Sequence, residues 1–136
     1  MGMYTEIYAR GTLRKSTPQE VVDILKRMAG HASPENMPLP DHELFRTDRW
    51  DILGCGASAY FPATLSTVYR DEYSKNWAFM FHANLKNYGG TIDKFFDWVD
   101  QYVEGSEGDF LGYSLYEETE PGQAPELFFK KVSGWQ

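Results

Sequence analysis

The stretch from Trp77 to Val103, WAFMFHANLKNYGGTIDKFFDWVDQYV, constrains the fold most strongly. Its first part, Trp77 to Lys86, starts with apolar residues on both alternating faces, which is typical of a central strand. Gly89 and Gly90 predict a turn, and Thr91 has a hydroxyl suited to cap a helix N-terminus. The sequence therefore predicts a buried strand that leads through a glycine turn into an amphipathic helix.

The predicted helix has two distinct faces. At about 100° per residue, Asp93, Asp97, Asp100 and Glu104 fall on one stripe, which predicts an acidic ridge turned away from the core. Gly105 is the residue expected to end the helix. The apolar stripe that would pack on the core consists of Ile92, Phe95, Phe96, Val99, Tyr102 and Val103.

The remaining chain supplies further strands and one more helix. Thr17, Pro18 and Glu20 form a helix-start pattern with Thr17 as N-cap, and Gly30 predicts the end of that helix. The region 31–49 contains three prolines and no periodicity, which predicts a long surface loop with a short helical turn near residues 41–45. The other predicted strands are Met3–Leu13, Trp50–Cys55, Thr64–Tyr69, Phe110–Tyr116 and Leu127–Val132.

This order of elements predicts the fold class. Two helices separated by antiparallel hairpins indicate an α+β fold, with an antiparallel sheet of five or six strands and both helices packed on one face. The closest common plan is a variant of the ferredoxin-like βαββαβ arrangement with extra strands. A length of 136 residues fits one domain.

Charge is distributed unevenly along the chain. The net charge is −7, yet the segment from Asp93 to Glu126 contains ten acidic side chains and one basic side chain, Lys94. This charge repels phosphate backbones, so we expect no direct binding of nucleic acid, whereas a basic protein surface would be attracted. The alternative is that these side chains are solvated faces that keep the protein soluble.

Cysteine content and hydropathy indicate the compartment. Cys55 is the single cysteine, which rules out an intramolecular disulfide and favours a reducing compartment. No segment has the pattern of a secretory signal or the length of a membrane span. We therefore expect a cytoplasmic protein that does not enter a membrane.

The runs NLKNYGGTIDKFFDWVDQYV and FLGYSLYEE, together with the layout of the whole chain, resemble small single-domain proteins encoded by bacteriophages and prophages. This resemblance implies a context: such proteins are often non-enzymatic and often bind host proteins, including defence systems. It carries no catalytic or binding motif, so no residue inherits a role from it.

Several residues offer alternative chemistry. A small-ligand or nucleotide pocket between the sheet and loop 31–49 would have Arg49, Tyr69 and His82 on its wall. Cys55 with His82 would form a thiolate and its base if the two side chains met. His31 and the Asp41-His42-Glu43 run offer metal ligands, but adjacent residues rarely point at one ion, so we predict neither a metal site nor a cofactor.

The most direct prediction from these patterns is a non-enzymatic protein that binds another protein with a basic surface, as a phage accessory protein or inhibitor of a host system would. The two alternatives are the ligand pocket and a structural homo-oligomer formed through an exposed strand edge. The residues predicted to bind the partner are Asp93, Asp97, Asp100, Glu104, Glu117 and Glu118.

Overall fold

The computed structural model describes residues 4–56, 65–118 and 120–135. Two α-helices and five β-strands are present in these residues. Met3 and Thr64, the first residues of two predicted strands, lie outside them. In chain order the elements are β1 (Thr5–Thr12), α1 (Gln19–Met28), β2 (Thr67–Arg70), β3 (Trp77–Leu85), α2 (Thr91–Val99), β4 (Phe110–Tyr116) and β5 (Glu126–Phe129).

The five strands form one antiparallel sheet in the order β2-β3-β1-β4-β5. The first four positions of this order are those of the ferredoxin-like arrangement, and β5 extends the sheet by a hairpin from β4. The predicted α+β fold is therefore confirmed. Within the described chain, β2 and β5 are the two edge strands.

One face of the sheet is covered by the two helices. Side chains at alternate positions of the central strands, such as Ile7 of β1 and Phe81 of β3, are fully buried there. They share a core with Ile24 of α1 and Phe95 of α2, so both helices pack on the same layer. The opposite positions of the strands form a second face, which neither helix of the described residues covers and which we call the open face.

Close packing between β4 and the rest of the molecule requires glycine at one position. A Cβ on Gly112 would lie 1.9 Å from the carbonyl oxygen of Tyr8 on β1 and 2.9 Å from the ring of Phe96 on α2. The missing side chain lets the sheet and α2 approach each other, and Phe96 uses the space to stack on Phe128 of β5, with ring centroids 4.0 Å apart.

The structure corrects three kinds of local prediction, namely one strand, the N-caps of both helices and the end of α2. The predicted strand at Trp50–Cys55 is instead a 3₁₀ turn at Trp50–Ile52, because Leu53 is buried in the core beside α1 and none of the described strands pairs with this run. Gly90, with φ 66°, is the N-cap of α2 in place of Thr91, and Pro18 is the N-cap of α1 in place of Thr17.

The C-terminal end of α2 is the third correction. The α-helix ends at Val99 and continues as a 3₁₀ turn over Asp100–Tyr102, well before Gly105. Gly105 instead forms an antiparallel bridge with Gly134. This early end matters for the acidic ridge, because the wheel no longer applies to Glu104.

The proline-rich loop 31–49 lies against the helices. It contains the short turn that was predicted, a 3₁₀ helix at Glu43–Arg46. Leu44 of this turn is buried, and the ring of Phe45 contacts the ring of Trp98 on α2 edge-on at 5.1 Å. The loop is thus on the helical side of the sheet, away from the open face.

Candidate functional site

The acidic side chains of α2 lie on the side of the helix next to β5 and not on the side opposite the core. On the helical wheel Asp100 lies only about 40° from Phe96, whose ring stacks on β5. Asp93 lies close enough to Glu126, at the start of β5, for the two carboxylates to interact, and Asp97 lies near Lys131 just beyond its end. We call the side chains of Asp93, Asp97 and Glu126 the acidic flank.

Asp100 is not part of any exposed surface, so its predicted place on an acidic ridge is wrong. Its side chain is 8% exposed, and its Oδ1 accepts a hydrogen bond from the fully buried Lys130 Nζ at 2.9 Å. The Lys130 ammonium also donates to the Asp100 carbonyl oxygen, and the Lys131 N–H donates to Asp100 Oδ2. These contacts make Asp100 a structural residue that ties the end of α2 to the end of β5.

Glu104 also has an internal role. It is half-buried, and its Oε2 accepts a hydrogen bond from Asn76 Nδ2 at 2.9 Å. Asn76 is itself buried in front of β3, so this bond satisfies part of a buried amide. The predicted use of Glu104 in partner binding therefore competes with a structural contact.

Asp97 is exposed and is bonded to the proline-rich loop. His42 of the loop donates from Nε2 to Asp97 Oδ2 at 2.9 Å, while its Nδ1 accepts from the Leu44 N–H. His42 therefore positions the Asp97 carboxylate, and the Lys131 ammonium lies 4.0 Å away.

Asp93 and Glu126 are the members of the acidic flank that no cation balances. Both are exposed, their side chains lie close enough to interact, and neither forms a salt bridge among the described residues. Burial and then the charge and hydrogen bond of Asp93 raise the pKa of Glu126 above its ordinary value. Two like charges are thus held together on the surface at a cost to stability.

More carboxylates lie in the β4–β5 connection, at the end of the sheet where Glu126 begins β5. Glu117 accepts a hydrogen bond from the Tyr4 N–H at 2.9 Å, and Glu118 accepts a weaker one from the Tyr116 hydroxyl at 3.5 Å. Glu118 and Glu120 are exposed. Four of the predicted partner-binding residues therefore remain accessible to a partner. Asp93, Asp97 and Glu118 are exposed, and Glu117 is half-buried.

The three residues of the predicted ligand pocket do not come together. Arg49 lies on the helical side, with its guanidinium 5.4 Å from the centre of the Tyr88 ring. Tyr69 and His82 lie on the open face of β2 and β3. The pocket was placed between the sheet and loop 31–49, but the helices occupy that position, so this grouping is wrong.

Arg49 instead lines a cleft between loop 31–49 and the start of α2. The cleft has a volume of about 480 Å³, and four of its lining side chains are cationic while two are acidic. The cationic residues are Arg46, Arg49, Lys86 and Lys94, and the acidic ones are Glu43 and Asp48.

A polar network occupies the middle of the open face. Glu6 of β1 accepts hydrogen bonds from His82 Nε2 of β3 and from the Tyr113 hydroxyl of β4, the latter at 2.7 Å. Burial, and then the hydrogen bond and charge of Glu6, raise the pKa of Tyr113 to about 12. Tyr113 is therefore a proton-bearing donor at neutral pH, and its ring stacks on Tyr8 at 5.7 Å.

Sequence reasoning identified His82 but missed Glu6 and Tyr113. The three come from different strands, and the register that places Tyr8 beside both His82 and Tyr113 is set by pairing across the sheet. Alternation within β1 puts Glu6 and Tyr8 on one face, which is the signal that could have indicated them.

The alternative of a thiolate and its base at Cys55 and His82 has no support in this arrangement. Cys55 is exposed, and burial of part of its side chain and the nearby charge of Asp51 raise the pKa of its thiol. A raised pKa lowers the thiolate fraction, and His82 bonds to Glu6 instead.

Within residues 4–56, 65–118 and 120–135, no three His, Cys, Asp or Glu side chains are placed to share a metal ion. In that same part of the chain, neither α-helix has the length and apolar character needed to cross a bilayer.

Comparisons with protein families, with curated proteins and with solved structures find no match for this chain.

Proposed function

We propose that this protein is a non-enzymatic binding protein that docks a basic surface of another protein on its acidic flank and on the adjacent carboxylates of the β4–β5 connection. The observation that carries the proposal is the Asp93–Glu126 pair. A surface that holds two carboxylates in contact with no cation loses stability, and a cationic partner would relieve that repulsion on binding.

The other charges of the region support the same location. Lys130 and Lys131 lie at the far end of β5, where they approach Asp100 and Asp97. Among the described residues, negative charge is therefore left without a cationic partner at the end where β5 begins, and the β4–β5 connection adds Glu118 and Glu120 there. Such a one-sided field accelerates the encounter with a basic partner.

The resemblance of two runs to phage and prophage proteins makes a host protein the first class of partner to examine. The experiment captures proteins from a bacterial extract on the immobilised chain at about 0.1 M and about 1 M salt, because the Debye length falls from about 10 Å to about 3 Å over that range. We expect a protein that is retained at low salt and released at high salt.

Matched variants locate the surface. D93N/E126Q removes two exposed charges from the acidic flank, and E35Q/E72Q removes two exposed charges elsewhere. The first should lose the captured protein and the second should retain it. Retention by both variants, or retention at high salt, would refute the proposal.

A second candidate function is the binding of a small anion in the cleft beside Arg49. The specific observation is an excess of cationic side chains around a volume of about 480 Å³ in a chain whose net charge is −7. Titration with inorganic phosphate and with AMP, followed by amide shifts of Tyr88 and Gly89, tests it. Binding that R49A abolishes and K15A preserves would support it, and unchanged shifts would exclude it.

A further inference from the structure

The outer edge of β5 has backbone groups that no strand of the described chain uses. Lys130 directs its N–H and its carbonyl oxygen toward β4, where they bond to Asp109 at 2.7 Å and to Gly108 at 2.9 Å. Backbone groups alternate along a strand, so Phe129 and Leu127 direct theirs outward. β5 is the last strand in the sheet order, and this outer side is an unpaired edge.

The side chains of β5 give that edge two chemically different faces. Leu127 and Phe129 lie on the open face and are 50% and 46% exposed. The Phe129 ring contacts the Phe110 ring with centroids 5.9 Å apart, so the exposed atoms belong to an apolar strip. On the other face, Glu126 lies beside Asp93 in the acidic flank.

A strand that pairs with this edge would need one particular sequence pattern. Its alternate side chains would lie beside Leu127 and Phe129 on one face and beside the acidic flank on the other. The first face favours apolar side chains, and the second favours lysine or arginine, because neither Asp93 nor Glu126 has a cationic partner in the described residues.

We infer that the partner docks by adding an extended segment, with alternating apolar and basic side chains, to the outer edge of β5. This inference rests on the proposed function and specifies how the basic partner binds. Main-chain hydrogen bonds to Leu127 and Phe129 would supply affinity, and the two faces would supply selectivity.

The test uses two synthetic peptides of identical composition. In one, lysine and valine alternate; in the other, all lysines precede all valines. Their affinities for the intact protein are measured by titration, and amide hydrogen exchange is measured in the complex. We expect the alternating peptide to bind about tenfold more tightly, since only it can align both faces while pairing its backbone, and to slow exchange at Leu127 and Phe129.

The outcomes separate this inference from the proposed function. Equal affinities that D93N/E126Q weakens alike would overturn strand addition while leaving a charge-driven surface. Binding of neither peptide would overturn both. Slow exchange at Leu127 and Phe129 without peptide, together with a dimer in sedimentation, would mean that a second copy covers the edge and would also overturn the inference.

Discussion

Replacing Asp100 with alanine distinguishes a structural carboxylate from a binding one. The substitution removes the acceptor of the Lys130 ammonium at 2.9 Å and the acceptor of the Lys131 N–H at 3.0 Å. The ammonium keeps one bond, to the Asp100 carbonyl oxygen at 2.7 Å, but its side chain is fully buried. An unpaired buried charge cannot be rehydrated without opening the end of α2.

The expected loss in the free energy of unfolding is about 3 to 5 kcal/mol, the range for removing one partner of a buried ion pair. The hydrogen bond that the Lys130 ammonium keeps to the Asp100 carbonyl oxygen favours a loss at the lower end of this range. Domains of this kind are stable by about 5 to 15 kcal/mol, so D100A should remain folded but with a clearly lower urea midpoint, by about 1 to 3 M.

Urea unfolding followed by tryptophan fluorescence measures this loss, because Trp98 is buried two residues before Asp100. The matched control is D97A, which removes an exposed carboxylate from the same helix and should cost under about 1 kcal/mol. In a double-mutant cycle, D100N/K130M should cost less than the sum of its single variants. Equal losses for D100A and D97A would refute the assignment of Asp100 to the interior.

Three further predictions concern stability and titration. E126Q should raise the free energy of unfolding at pH 7 by about 0.5 kcal/mol, a small figure because the pair is largely exposed. Since the folded pKa of Glu126 is raised, the destabilisation of the wild type is absent below the ordinary value of about 4.3 and appears as pH rises through the raised pKa. Thermal unfolding at several pH values measures this dependence. G112A should cost about 3 kcal/mol or more in urea unfolding, because the new Cβ meets the Tyr8 carbonyl oxygen at 1.9 Å and the β1–β4 ladder holds that oxygen in place; a loss under 1 kcal/mol would contradict the packing. E6Q should lower the pKa of Tyr113 from about 12 toward the ordinary tyrosine value of about 10, as ultraviolet titration measures. In the wild type, the stability linked to Tyr113 is present below about pH 10 and is lost as pH rises through about 12. An unchanged pKa in E6Q would show that Glu6 does not act on Tyr113.

The parts of the fold that could be predicted from sequence are those that local patterns determine. Alternation in β1 and β3, the apolar stripe of α2 and the glycine turn before it all indicated the observed elements, because each pattern fits one periodicity over many residues. The run Trp50–Cys55 was assigned to a strand because a short apolar run has no decisive period. Contacts with α1 determine its structure instead.

The acidic flank shows why the candidate site could be predicted only in part. A helical wheel places Asp93, Asp97 and Asp100 on one stripe, but it carries no information about what packs beside them. Lys130 lies 30 residues beyond Asp100 in the sequence, and the position of β5 brings the two together. The same strand places Glu126 beside Asp93. The sequence predicts the negative charge of the stripe. Tertiary structure decides that Asp100 is paired with a lysine while Asp93 lies beside a second carboxylate.

The measurement that tests the proposed function most directly is the affinity of the captured partner for three chains at about 0.1 M salt: the wild type, D93N/E126Q and E35Q/E72Q. We expect D93N/E126Q to bind about tenfold more weakly, because it lacks two interfacial charges, and E35Q/E72Q to bind as the wild type does. Equal affinities for all three chains would contradict the proposed function, because the partner would then not contact the Asp93–Glu126 pair.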